Sequence, residues 1–254
     1  MNKTNLLAFL TDKNVRIPQL QRDYVQGSDK AKEIRDLFIC DLVETLSADT
    51  PEAKQKTLHL DFIYGSTYEE APASGLHPYW KEGELHIDTP NSDVNEPTKV
   101  FLPLDGQQRL TSLWLLHWML CPETEADAAK KLLSHFSYAT RSSSRRFCAA
   151  LVAHIGDGEL KQQLKTNKAK SALLEASWFL PAWQKDPTVN SMIEMLVAIG
   201  TRLGEADTAP LWKRLQEGAI TFTVIEIQSN EFRLTDELYI KMNNRGRLLT
   251  DWEC

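Results

Sequence analysis

The stretch LTSLWLLHWML, Leu110 to Leu120, constrains this chain more than any other. It is apolar almost all round, so as a helix it has no face to give to water and must be enclosed by other elements. It follows directly on an apolar strand, FLPL, and the corner between them reads Asp105-Gly106-Gln107-Gln108-Arg109. A plain strand-to-helix turn needs only a glycine and a cap. The two amides, guanidinium and carboxylate exceed that need and mark the corner as a candidate binding site.

The remaining pattern supplies the enclosure. A short helix is expected over Asn5–Leu10, followed by an extended segment, VRIPQLQRDY, in which Pro18 keeps Ile17 out of the helical region. A helix follows over Asp29–Leu46, with Ile34, Leu37, Phe38 and Leu42 at helical spacing. LHLDFIYGSTYEE, HPYWKEGELHIDT and KVFLPL are rich in β-branched and aromatic residues, and read as a small antiparallel sheet with a hairpin turn at Glu82-Gly83. From Gln107 to Gly218 nearly everything reads as helix: Glu123–Ser137, Ser143–Ile155, Asp157–Lys165, Lys168–Leu180, Thr188–Leu203 and Thr208–Gln216. AITFTVIEI (Ala219–Ile227) alternates as a strand, and TDELYIKMNNRG reads as a helix closed by Gly246. The expectation is one α+β domain, its core at about 1–120 and 219–254 with a helical insertion at about 121–218. Thr250 and Glu253 form a capping box, so a further helix is expected to run on past Cys254.

Composition removes several function classes. The 254 residues carry a net charge of −6, which does not suit a generic polyanion binder, so any nucleic-acid contact must be local. No run reaches the 18 or so apolar residues of a membrane span, and the first residues lack a signal-peptide pattern. Cys40, Cys121, Cys148 and Cys254 show no C-x-x-C pairing, so a reduced, cytoplasmic protein is expected. The six histidines are scattered, with no H-E-x-x-H, and no P-loop is present. DNA cleavage by a metal-histidine site is not expected from these residues.

Four clusters carry chemistry. At the corner, Gly106 lets a ligand approach the backbone, and a helix start favours an anion. Arg109 can grip phosphate with two parallel hydrogen bonds, Gln107 and Gln108 can meet a sugar, base or water, and Asp105 can hold a metal ion or orient the arginine. The plain alternative is a capped helix with exposed amides. Gln21-Arg22-x-Tyr24 could give phosphate and base contacts, or be a charged turn. Asn243-Asn244-Arg245-Gly246 reads equally as a glycine cap with amides. Arg141, Arg145 and Arg146, in YATRSSSRRF, could receive a phosphate or DNA backbone, or be a solvated helix start.

Taken in order, RIPQLQRDY, LDFIYGSTY, LPLDGQQRLTSL, YATRSSSRRF and DELYIKMNNRGRLLTDWE resemble the blocks of the N-terminal domain of GmrSD-type restriction enzymes, from about Val15 to Glu253. The resemblance implies a ParB/sulfiredoxin-like fold, with a small mixed sheet and a box at a helix start that binds nucleotide phosphates. It implies nucleoside-triphosphate hydrolysis with Mg2+, coupled to defence against foreign DNA, including DNA with modified bases or backbone. It also implies a separate C-terminal nuclease domain or subunit as partner. Carried over, Asp105, Gln107, Gln108 and Arg109 are the catalytic set, with Asp105 on the metal. Gln21, Arg22, Tyr24, Gly106, Asn243 and Arg245 contact the nucleotide, and Gly246 completes the last element. One departure stands out: the family places an aromatic two residues after the tyrosine, where this chain has Gln26.

Two functions from different classes therefore compete. One is a nucleotide-hydrolysing sensor domain of a DNA-targeting restriction system. The other is a DNA- or protein-binding module that keeps the fold without turnover. A sulfiredoxin-like reductase is disfavoured, since the box holds Gln107 and Gln108 where a thiol is wanted.

Overall fold

The burial demanded by Leu110–Leu120 is met in full. The computed structural model describes residues 2–18, 23–47, 56–70, 77–81, 84–88, 97–139 and 141–228. In it helix α3 (Gln107–Leu120) is buried at every residue from Leu110 onward. The Glu82-Gly83 turn, the TDELYIKMNNRG helix and the Thr250–Glu253 capping box lie outside the described residues. Among the described residues no helix is long and apolar enough to cross a membrane.

The elements around α3 are, in chain order, β1 (Asn2–Thr4), α1 (Leu6–Asp12), β2 (Asn14–Ile17), α2 (Lys32–Leu46), β3 (Leu58–Glu70), β4 (His77–Lys81), β5 (Glu84–Asp88) and β6 (Thr98–Asp105). After α3 come α4 (Ala126–Leu133), β7 (Phe136–Tyr138), α5 (Ser142–Ala153), α6 (Gly158–Leu164), α7 (Ala169–Leu174), α8 (Pro187–Leu203), α9 (Thr208–Gln216) and β8 (Ile220–Gln228). The architecture is α+β. Six strands form a mixed sheet in the order β1-β8-β3-β6-β2-β7, and β4 and β5 pair separately and antiparallel. Helix α3 packs against α1, α8 and α9. Its two indoles meet the carbonyls of neighbouring helices: Trp114 donates to Leu133 at 3.0 Å and Trp118 to Leu151 at 2.5 Å. A buried indole N–H needs such a partner, and helix ends have carbonyls to spare. On the sheet side Phe9 stands edge-on to Phe101 and Phe222, at 5.1 and 5.7 Å.

The sheet is mixed, as the family resemblance implied; β3 and β6 pair antiparallel as expected, while β4 and β5 pair apart from it. Only β3–β6 and β1–β8 are antiparallel; β8–β3, β6–β2 and β2–β7 are parallel. The strands β1 and β7 have three residues each, too few for a periodic signal. β7 falls inside the expected Glu123–Ser137 helix, which ends at Leu133. Val15 then donates to the His135 carbonyl at 2.7 Å, and Phe136 and Tyr138 bury their rings. The expected Lys168–Leu180 helix stops at Leu174 because the next residues are used as rings. Trp178 stacks on His154 at 5.1 Å, and Phe179 meets Trp183 edge-on. Helix α2 is also turned from its expected face. Ile34 and Leu37 are 68% and 69% exposed, whereas Arg35, Ile39, Leu42, Val43 and Leu46 face inward. Arg35 is drawn in because its guanidinium donates to the Gly27 carbonyl at 2.9 Å.

Enclosure of α3 also buries His117. Its Nδ1 lies 2.7 Å from the Leu113 carbonyl oxygen, which makes that nitrogen the donor, and its ring meets Trp212 edge-on. Burial lowers its pKa to about 4, although the backbone hydrogen bond works the other way. The unfolded imidazole titrates near 6.5, so the unfolded chain takes up the proton first. The native state is then favoured fully above about pH 6.5 and loses on the order of 3 kcal/mol as pH falls to about 4. We expect urea denaturation of His117→Gln to show a shallower loss across that window than wild type. An equal loss in the two proteins would contradict a neutral buried imidazole.

Candidate functional site

The corner gets its geometry from two strands of unequal reach. β6 ends at Asp105, opposite Tyr64, while β3 extends further back to Leu58 with β8 alone as its partner. Helix α3 starts in the space that β6 leaves. Gly106 makes the turn at φ 87°, and a Cβ there would lie 2.3 Å from Ile63 Cδ1. Both the left-handed backbone and the close approach to β3 demand glycine. As the N-cap of α3, Gly106 has no side chain to offer the first turn.

Arg109, one turn into α3, fills the gap in the sheet. It donates from Nη1 to the Leu60 carbonyl at 2.8 Å, and its Nη2 lies 3.6 Å from Asp105 Oδ2. That carbonyl sits at a β-bulge between His59 and Phe62, where Asp61 has φ 50°. A non-glycine residue held there is sparsely populated and gathers at functional sites. The Asp105 side chain is 64% exposed and Arg109 25% exposed, so the pair opens to solvent. Two large apolar side chains are also exposed: Phe62, just past the bulge, and Val25, whose N–H bonds to Gln108.

The other box residues have different duties. Gln108 uses both ends of its amide on the segment Asp23–Gln26. Its Oε1 accepts from the backbone N–H of Val25 and Gln26 at 2.9 and 3.0 Å, and its Nε2 donates to the Asp23 carbonyl at 3.1 Å. Its amide therefore ties that segment to the start of α3. Gln107 is buried, and its carbonyl accepts from Thr111 at 2.9 Å. Tyr24 is expected to meet nucleotide but is 1% exposed. Its hydroxyl is 2.8 Å from Ser112 Oγ, which donates in turn to Gln26 Oε1 at 2.8 Å. Burial pushes the Tyr24 hydroxyl well above its ordinary pKa, and the ring acts as a pillar inside the fold. Gln26 therefore packs by hydrogen bonding against α3 at the position where an aromatic was expected.

Arg141 is likewise engaged. Its guanidinium lies 3.3 Å from Asp186 Oδ1 and 3.3 Å from Asp23 Oδ1, while Arg145 is exposed on α5. Asp186 is 4% exposed and collects the hydroxyls of Ser143 and Ser144 as well as the amides of Thr188 and Val189. Burial alone would raise its pKa, but those hydrogen bonds together hold the carboxyl below its ordinary value. Gln21, Arg22, Asn243, Arg245 and Gly246 lie outside the described residues. Among the described residues, no three His, Cys, Asp or Glu side chains converge as a metal site. Asp105 could hold Mg2+ only together with ligand oxygens and water, which is how that ion is commonly bound beside phosphates.

Sequence reasoning missed the bulge at Asp61 and the residues that tie Asp23–Gly27 down. A local signal existed for only one of them: Asp186-Pro187 is the pattern of an N-cap followed by proline at the first helical position.

The corner thus brings the start of α3, the Arg109 guanidinium and the Asp105 carboxylate together at the end of β6, within an α+β domain built on a mixed sheet. The chain belongs to the GmrSD restriction endonuclease family: residues 5–254 match the model of that family's N-terminal domain. No curated protein matches it.

Gly106→Ala should destabilise the domain by about 1–3 kcal/mol, from left-handed strain and the clash with Ile63. Urea denaturation measures this directly. A change within error of zero would show that the corner relaxes freely.

Proposed function

We propose that the Asp105–Arg109 corner binds the phosphates of a nucleoside triphosphate, and that this domain hydrolyses it as the sensor part of a DNA-targeting restriction system. The observation that carries the reading is the left-handed Gly106 turn into α3 with the Asp105–Arg109 pair open to solvent beside it. Backbone N–H groups and the helix dipole favour a phosphate there. Arg109 spends one N–H on Leu60 and faces Asp105 with Nη2 at 3.6 Å, so a phosphate would share the guanidinium with that carboxylate. Because the Leu60 bond also fixes the guanidinium, little side-chain entropy is lost on binding. Mg2+, when bound, supplies charge neutralisation between phosphate oxygens, and Asp105 is the residue that would hold it.

DNA, a nuclease domain or subunit and a ParB/sulfiredoxin-like core complete this reading by family resemblance. A second reading, binding without turnover, is favoured by Gln108, whose amide is committed to the scaffold. Phosphate release measured with and without DNA separates the two.

Calorimetric titration of ATP and of GTP, each with Mg2+, tests the site. Losing a charge-assisted phosphate contact costs about 1.5–3 kcal/mol, so Arg109→Lys should weaken binding by about tenfold or more. Asp105→Asn, at an exposed position, should remove the magnesium dependence and leave the thermal midpoint unchanged. Affinities equal to wild type in both variants would sink the phosphate site.

A further inference from the structure

The segment Asp23–Gly27 is held from opposite sides. Helix α3 grips it with Gln108 and, through Tyr24 and Gln26, with Ser112. The later helices hold it too. Tyr24 N–H donates to Thr188 Oγ1 at 3.2 Å, and Thr188 Oγ1 lies 3.4 Å from Asp23 Oδ1. At Gly27 a Cβ would lie only 1.8 Å from the Ser191 carbonyl oxygen of α8. Arg141 adds a further hold: its side chain is 47% exposed and spans from Asp186 to Asp23.

We propose that Arg141 is a positioning residue for the phosphate corner: by bridging Asp186 and Asp23 it sets the Asp23–Gly27 segment against Gln108. The deepening rests on the nucleotide reading of that corner. Asp186 is fixed independently of Arg141, by two hydroxyls and two helix amides, so it is a rigid anchor. Asp23 is the opposite end, 39% exposed, and its carbonyl is the group to which Gln108 donates. Tension on one residue therefore reaches the box through two bonds. This role differs from the phosphate or DNA contact that the arginine-rich sequence suggested: Nη1 faces Asp186 and Nη2 faces Asp23, each at 3.3 Å.

The test uses hydrogen exchange and nucleotide titration on the whole chain. In Arg141→Ala the amides of Val25 and Gln26 should exchange about two- to fivefold faster, the range an exposed ion pair supports. Amides in the middle of α8, such as Met195, should be unchanged, which separates this from general destabilisation. Arg141→Lys should recover part of the protection, and Asp23→Asn should match Arg141→Ala without adding to it in the double variant. High salt should shrink the difference. Affinity for ATP or GTP with Mg2+ should fall by the same two- to fivefold in Arg141→Ala. If the wild type binds neither nucleotide, the nucleotide reading fails while the exchange result still decides the latch. Unchanged exchange at Val25 and Gln26 overturns the proposal. So does a loss of affinity for duplex DNA in Arg141→Ala with exchange unaltered, which would return Arg141 to a phosphate contact.

Discussion

Everything in this domain depends on enclosing one helix that has no polar face. Trp114 and Trp118 are fully buried, and each indole N–H must find an acceptor in the interior. The chain answers by bringing Leu133 and Leu151 to them, so α4 and α5 are placed by the needs of α3. The sheet covers another side with Phe9, Phe101 and Phe222, and α8 and α9 close the rest. A helix surrounded in this way cannot slide or rotate without breaking packing in several directions. Its N-terminus is held in place by the same packing.

That rigidity is carried outward by polar bonds. Ser112 and Gln108, one turn apart on α3, turn the helix surface into a template for Asp23–Gly27. Arg109 does the same for β3, standing in for a strand partner at Leu60. The box is thus as much scaffold as site. Gln108 and Arg109 explain why a strand-to-helix corner carries so many polar groups: a substantial share of them hold the chain to itself.

The legibility of the sequence follows from the length of each signal. Helix α3, α9 and strand β8 were readable because their patterns run long enough to show a period. β7 was not, since Phe136-Ser137-Tyr138 is three residues at the end of a helical pattern, and only pairing with Val15–Ile17 makes it a strand. Ile34 and Leu37 misled because hydrophobic residues on the outside of α2 look the same in sequence as those inside, while Arg35 points in for a backbone carbonyl far from its own helix turn. At the site, the glycine and arginine of the corner were legible from chemistry. The duties of Gln108, Tyr24 and Arg141 were not, because each is defined by a partner distant in the chain.

The sheet order has a consequence for synthesis. β8 lies between β1 and β3, joining Asn2–Thr4 to Leu58–Thr67, so the first strand made waits for one that leaves the ribosome more than two hundred residues later. Until Ile220–Gln228 emerges, one long edge of β3 has no neighbour, and an open edge invites pairing with other chains. Long-range strand pairing is slow for the same entropic reason. The newborn domain therefore has a vulnerable interval that ends only when β8 slots in, and a cell making it has cause to keep that edge chaperoned until then.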